Sequence, residues 1–264
     1  MDLIQTIWDK SKDILTDNGV DWAITGIITY FSTKTATRQY YDHNKKAVAQ
    51  KIMEQSLRAM LSLTNSEKLP DNTKVILVEY KGRSYKIKRK DNALKEPGFL
   101  RKIRRTVACV GGDVNGVSPS RPINYGVLGI ANICNRAILF DFKNGLLYRY
   151  DNGEFQKLDT EEDNGFYYYK RSDGERLEVA PVNTTRDTMI AVPIGKNGKL
   201  YGGITFDMKA GDNTIYQRIT RHDTEAERNQ KNEVNKRVVR EALETANNLF
   251  TAYFNKKDGT TNGY

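Results

Sequence analysis

Met189-Ile-Ala-Val-Pro-Ile-Gly-Lys-Asn-Gly-Lys-Leu-Tyr-Gly-Gly-Ile-Thr-Phe-Asp207 holds two apolar runs on either side of Lys196-Asn-Gly-Lys199, and the second run closes on an acid. Asn197-Gly198 supplies the positive φ angles that a tight turn needs, so the stretch reads as one β-hairpin. Downstream, Val234, Val238, Ala242, Leu243, Ala246, Leu249, Phe250, Tyr253 and Phe254 recur at helical spacing and predict a long amphipathic helix. Residues 255–264 read as a polar, frayed tail.

Working upstream, Gly145 to Leu158 reads as a hairpin about Asn152-Gly153, and Gly165 to Val179 as another about Asp173-Gly174. Lys74 to Tyr80 alternates and is β-branched like a strand, and Lys81-Gly82-Arg83 turns it into a partner over Ser84 to Lys88. Ahead of these strands, a helix from about Asn44 to Leu63 carries a buried stripe of Val48, Ala49, Ile52, Met53, Leu57, Met60 and Leu61. The order is helix, sheet, helix.

The N-terminal segment is amphipathic, with Leu3, Ile4, Ile7, Trp8, Ile14 and Leu15 on one stripe and Asn18-Gly19 ending it. Val20 to Phe31 is then apolar nearly all round, yet shorter than the roughly 20 residues of a membrane span. Residues 1–41 therefore have three readings: a helical hairpin packing on its own domain or on a second copy, an interfacial membrane anchor, or a processed or disordered arm. Trp8, Trp22, Tyr30, Tyr40 and Tyr41 would be the interface aromatics of the anchor.

A chain of 264 residues with 38% hydrophobic content fits one main domain with extensions. A signal peptide is not expected over its first residues, since Met1-Asp-Leu-Ile-Gln lacks a basic n-region and no small-residue cleavage site follows. Cys109, Cys134, His43 and His222 are too few for a disulfide framework or a structural zinc site, and they indicate a reducing, cytoplasmic setting. Any membrane association would be with the inner face. Eleven Lys and Arg lie between Lys81 and Arg105 against Asp91 and Glu96, which equals the whole net charge of +9. Such a patch attracts anions. It reads as a solvated face, or as a contact for an anionic membrane or ligand. Nucleic acid is disfavoured, because no helix-turn-helix, zinc-finger or RNA-recognition signature accompanies it.

The hairpin over Met189 to Asp207 resembles the one near the end of a GAF domain, where a "hydrophobic-x-VP-hydrophobic" strand, an "-NG-" turn and a "-GG-hydrophobic-x-hydrophobic-D" strand follow in that order. Gly126-Val-Leu-Gly-Ile-Ala131 followed by Ala137-Ile-Leu-Phe-Asp141 is similar to the family's glycine-marked helix start and short strand. The resemblance implies an α+β fold over residues 43–254: an antiparallel sheet flanked by N- and C-terminal helices that pack together on one face. A β-hairpin insertion would occupy 142–188, where such domains carry their ligand lid, and a helical arm would occupy 1–42. The insertion reads either as a structural flap or as a pocket closure using Phe166, Tyr167, Tyr168 and Tyr169. PAS-like and profilin-like sheets are the competing folds.

The sequence has no P-loop, Gly-x-Ser-x-Gly, metal-spaced His pair or dinucleotide-binding glycine motif. Asp159 to Asp163 reads as a polar surface run. Thr106-Val-Ala-Cys-Val110 ahead of Gly126-Val-Leu-Gly129 is similar to the cysteine strand and "GVCG" turn of free methionine-sulfoxide reductases, which are GAF domains. Leu128 stands where their turn cysteine would be, and Val182 to Asp187 holds no cysteine either. Cys134 reads as a packing residue.

The expected function is accordingly a non-enzymatic small-molecule-sensing module that signals through self-association or a partner, with no catalytic residue, metal ligand or cofactor assigned. In a GAF-like fold the pocket lies between the sheet and the inserted segments. The ligand-binding candidates beside those turns are Tyr125, Asn132, Asp141, Tyr167, Tyr169, Thr184, Arg186, Asp187, Thr205 and Asp207. Arg186 is the expected anion contact, because a guanidinium can hold a carboxylate or phosphate through two parallel hydrogen bonds. Asp207 also reads as a strand-end turn former, and Arg186 with Asp187 as a surface pair. The alternative function is a membrane-associated scaffold with a degenerate sensory fold, and reductase activity is the third.

Overall fold

A computed structural model describes residues 43–64, 73–82, 102–111, 123–182, 184–209 and 215–255. The arm over 1–42, the expected strand over Ser84 to Lys88 and the tail beyond Asn255 lie outside them. The chain divides into two units, 1–47 and 48–264, and the sheet belongs to the second.

Helix α1 covers 43–63 and buries Ala49, Met53, Leu57, Met60 and Leu61. These positions recur every three or four residues and form one stripe. Val48 was expected on that stripe but is exposed, since it lies about 100° around the helix from Ala49. Among the described residues ten strands follow, separated by a short helix α2 over Gly126–Cys134: β1 (Thr73–Gly82), β2 (Lys102–Val110), β3 (Ala137–Asp141), β4 (Leu146–Asp151), β5 (Glu154–Lys157), β6 (Thr160–Asp163), β7 (Phe166–Lys170), β8 (Arg176–Pro181), β9 (Arg186–Lys196) and β10 (Lys199–Lys209). Helix α3 (Glu225–Leu249) ends the order, widened into one π turn over Phe250–Phe254. Thr224 and Glu227 form a reciprocal capping box at its start, satisfying two backbone donors that the first helical turn leaves open.

Seven strands make one antiparallel sheet in the order β2-β1-β10-β9-β3-β4-β5, and β6-β7-β8 make a second. Among the described residues β1 pairs with β10 on one side and with β2 on the other, the latter across a bulge at Leu77 and Val78. Both predicted insertion hairpins form, but they part company. The one about Asn152-Gly153 extends the main sheet as β4 and β5, whereas the one about Asp173-Gly174 joins β7 to β8 in the small sheet. Asp159 to Asp163 was expected as a polar surface run, yet Thr160–Asp163 is strand β6. Its acids are matched across the small sheet, Glu161 to Lys170 and Arg176, and Asp163 to Arg176.

Strand alternation sorts the apolar side chains into two layers. Val75, Leu77, Leu139, Ile190, Val192, Ile204 and Phe206 face α1 and α3 in one cluster. Val78, Ile138, Phe140, Met189 and Ala191 face α2 and β8 in the other. The terminal helices therefore share one face of the sheet, as the GAF resemblance implies, and Thr245 of α3 donates a short hydrogen bond to Ser56 of α1 between them. Leu243 was expected on the buried stripe of α3 but is exposed beside Ala242.

The Gly202-Gly203 pair has a two-sided cause. A Cβ on Gly202 would stand 2.2 Å from the Val78 carbonyl oxygen and 2.7 Å from the Phe254 ring on the helical face. One on Gly203 would stand 2.7 Å from Leu128 and 2.9 Å from the Tyr80 hydroxyl on the opposite face. Only glycine lets β10 sit this close to both layers.

Candidate functional site

On the sheet face opposite α1 and α3, a cleft of about 540 Å³ lies between the sheet, α2 and the small sheet. Its floor is Ile76, Val78, Thr106, Met189 and Thr205, and its walls are Tyr125 to Leu128 of α2 with Phe166, Val179, Ala180 and Pro181 of β7 and β8. Arg104, Thr184, Arg186 and Asp207 supply the remaining polar groups. A volume of this size suits a small organic molecule.

A β-bulge decides where Arg186 points. Thr188 pairs with Met208 while Arg186 pairs with Lys209, so Asp187 is an extra residue without a ladder partner. In an unbroken ladder Arg186 would share the face of Thr188, which is the helical face. The bulge turns it to the cleft instead. There its Nε lies 3.1 Å from Asp207 Oδ2. Asp207 is an interior residue of β10, two positions before its end, so the expected strand-end turn does not form.

The extruded Asp187 is held elsewhere. Arg218, in the segment before α3, donates through Nε and Nη2 to the two Asp141 oxygens at 3.0 and 2.9 Å, and through Nη2 to Asp187 Oδ1 at 3.0 Å. Those two carboxylates push the Arg218 pKa further up, against the cost of burial. Asp141 also accepts from the Lys143 and Asn144 amides and the Asn144 side chain, which closes the β3–β4 turn. The expected Arg186 and Asp187 surface pair is thus two separate pairs.

Asn132 is buried in a clamp. Tyr80 donates to its Oδ1 at 2.8 Å, and its Nδ2 donates to the Ile123 carbonyl at 2.7 Å. Burial pushes the Tyr80 pKa up to about 12, although Arg104 and the Asn132 hydrogen bond pull it down. The phenol therefore stays a donor at neutral pH. Arg104 Nη2 donates to the Ile123 carbonyl at 2.9 Å and to that of Tyr125, so the turn into α2 is fixed from two sides. Tyr125 reaches across to Glu178 Oε1 at 2.6 Å and ties α2 to β8.

Of the ten expected site residues, Tyr125, Thr184, Arg186, Thr205 and Asp207 meet in this cleft. Asn132 and Asp141 serve the clamp and the Arg218 latch, and Asp187 belongs to that latch. Tyr167 stacks edge-on against Phe140 at 5.5 Å and lines a separate cleft of about 560 Å³ with Lys143, Asn144 and Glu161. Tyr169 packs on the α2 side of the core beside Cys134, as does Cys134 itself. Arg104 and Phe166 line the cleft but were not among the expected contacts: Arg104 lay inside the basic run, and Phe166 was grouped with the three tyrosines as one closure.

Neither cysteine lines the cleft, Cys109 lying on β2 and Cys134 at the end of α2. Burial pushes both thiols up, opposed at Cys109 by Lys74 and at Cys134 by Arg149, Arg171 and Tyr169. A raised thiol pKa lowers the fraction of nucleophilic thiolate. Among the described residues no cluster of His, Cys, Asp and Glu could hold a metal ion, and no helix is long and apolar enough to cross a membrane.

No family model and no curated protein sequence matches the chain. Among solved structures it is similar to a type II free methionine-R-sulfoxide reductase from Thermoplasma acidophilum, with 14% identity over 76% of this chain and 96% of that one and a TM-score of 0.31. It is also similar to the phycoerythrobilin-bound GAF domain of a cyanobacterial phytochrome, with 10% identity over 84% and 95% of the two chains and a TM-score of 0.35. A third similar structure is the GAF domain of an Acinetobacter phosphoenolpyruvate-protein phosphotransferase, with 11% identity over 73% and 93% and a TM-score of 0.27.

Proposed function

We propose that the cleft is a small-molecule-binding site and that the chain is a sensing module without catalysis of its own. The observation that carries this reading is the cleft itself: an apolar floor and walls with the Arg186–Asp207 pair turned into it by a bulge. A thiol-dependent reductase would need a cysteine there. The thiols stand outside the cleft and are shifted toward the unreactive form.

A contiguous set of hydrogen bonds supports an output through α3. Arg186 in the cleft is followed by Asp187, Asp187 accepts from Arg218, and Gln217 next to Arg218 exchanges two 2.8 Å bonds with the side chain of Asn235 on α3. A ligand that moves Arg186 would strain the bulge and so bias the packing of α3 against α1, which is how a population shift reaches another surface. Self-association or a partner chain would then read that change, with residues 1–42 as the proposed association arm of the 43–254 domain.

A thermal scan against nucleotides, amino acids and organic acids tests the reading. At least one compound is expected to raise Tm by mass action. No shift from any of them would favour the scaffold alternative. The chain is also expected to show no thiol-dependent reduction of free methionine sulfoxide, and turnover that Cys109→Ser removes would reinstate the reductase reading.

A further inference from the structure

Resting on that reading of the cleft, we infer that Thr205 sets its specificity and that the ligand is an apolar ring compound carrying a hydroxyl group that meets the Thr205 side chain. Thr205 belongs to the cleft floor. Its ladder partners are Ile76 of β1 and Ala191 of β9, and strand alternation turns it to the cleft, away from Ile204 and Phe206 of the helical layer. The residue is 9% exposed, and among the described residues its hydroxyl has no hydrogen-bond partner. It therefore holds one donor and its acceptor lone pairs ready for whatever fills the cleft.

The surroundings decide what fits there. Ile76, Val78, Leu128, Phe166, Val179 and Met189 make the lining around Thr205 apolar, so a ring that settles on the floor displaces solvent from it. A rigid ring also covers that surface without ordering a flexible chain. Hydrocarbon laid over Thr205 would leave its hydroxyl with no partner at all, and stranding a buried polar group costs more than one ordinary hydrogen bond contributes. A ligand hydroxyl at this point removes the penalty, and it can pair in either sense because both groups donate and accept. Thr106, the other hydroxyl of the floor, lies on β2 at the end of the sheet among the described residues and is less buried, so covering it costs less.

Two probes of nearly the same shape, 2-naphthol and 2-methylnaphthalene, test this by fluorescence titration of the full chain. The wild type is expected to bind 2-naphthol at least about ten-fold more tightly. In a site without the hydroxyl the order would be the opposite, since the hydrocarbon is the more hydrophobic of the two. Thr205→Val exchanges the hydroxyl for a methyl group of similar size and should reverse the preference, chiefly by tightening 2-methylnaphthalene about ten-fold. Its Tm without ligand should equal or exceed that of the wild type, because no internal hydrogen bond is lost and valine suits a strand. Thr205→Ser keeps the hydroxyl and should keep the preference for 2-naphthol.

A Thr205→Val variant that unfolds, or melts well below the wild type, would show that the hydroxyl serves the fold and would overturn the inference. A preference for 2-naphthol that survives Thr205→Val, or a reversal produced by Thr106→Val instead, would overturn the role of Thr205, as would loss of the preference in Thr205→Ser. A wild type that favours the hydrocarbon would overturn the ligand class while leaving the cleft a binding site. Binding of neither probe would also overturn the class, and the wider thermal scan then decides separately whether the sensing reading stands.

Discussion

Arg218→Ala is expected to lower the free energy of unfolding by about 3 kcal/mol or more, because it strands a buried carboxylate. The Asp141 side chain is 1% exposed and receives two of its hydrogen bonds from this guanidinium. The turn donors from Lys143 and Asn144 remain in the variant, but none of them carries a positive charge. Adding Asp141→Asn should restore a large part of the loss, since the amide can still accept in the turn and no charge is left buried. Urea unfolding of the two variants checks this. A loss under about 1 kcal/mol for Arg218→Ala, or no recovery in the double variant, would show that the latch carries little. The double variant should also separate fold from output, because it breaks the link between Asp187 and the segment pinned to α3.

Gly129→Ala sets two rules against each other. Helix propensity alone favours alanine over glycine by about 1 kcal/mol at an interior position such as this one in α2. Packing opposes it, because a Cβ at Gly129 would stand 2.2 Å from the backbone carbon and 2.4 Å from the carbonyl oxygen of Asn124. Those atoms belong to the turn that Arg104 and Asn132 hold at neighbouring Ile123, so they cannot give way without breaking the clamp. The clash should win by about 1–3 kcal/mol, the usual cost of overpacking, and the variant should melt below wild type. It should also weaken binding in the cleft, whose wall includes Gly126, Val127 and Leu128 of the same helix. A variant more stable than wild type would mean that the turn yields and that α2 is not fixed as described.

The parts of the fold legible in the sequence are those set by local backbone chemistry. Asn197 and Gly198 take φ angles of 52° and 74°, and Asn152 and Gly153 take 51° and 86°, so the Asn-Gly pairs announced both hairpins directly. The glycines of Gly126-Val-Leu-Gly129 and Gly202-Gly203 were visible as punctuation; Gly126 takes a φ of 66° and Gly129 meets Asn124 five residues back, whereas the cause of Gly202-Gly203 is contact with segments distant in sequence. Strand β6 was hidden because its acids look like solvent-facing residues until Lys170 and Arg176 are placed across from Glu161.

The site was legible only in part, for the same reason. Tyr125, Thr184, Arg186, Thr205 and Asp207 were found because they flank glycine turns and the last hairpin. The separation of Arg186 from Asp187 depends on a one-residue register slip, and its stabilising partner Arg218 lies 31 residues beyond Asp187 and 77 beyond Asp141. No local pattern encodes that. Asp141 was read as a pocket residue from its place after an apolar strand, whereas alternation puts it on the face opposite Ile138 and Phe140.

Methyl-detected NMR of the full chain, labelled at Ile, Leu and Val, tests the central claim most directly when the same nucleotides, amino acids and organic acids are titrated in. The account predicts saturable shifts for at least one compound, centred on Ile76, Val78, Val127, Leu128 and Val179 and absent from Leu57 and Leu61 on the α1 side of the core. Saturable shifts centred away from those five residues, or none from any compound, would contradict it.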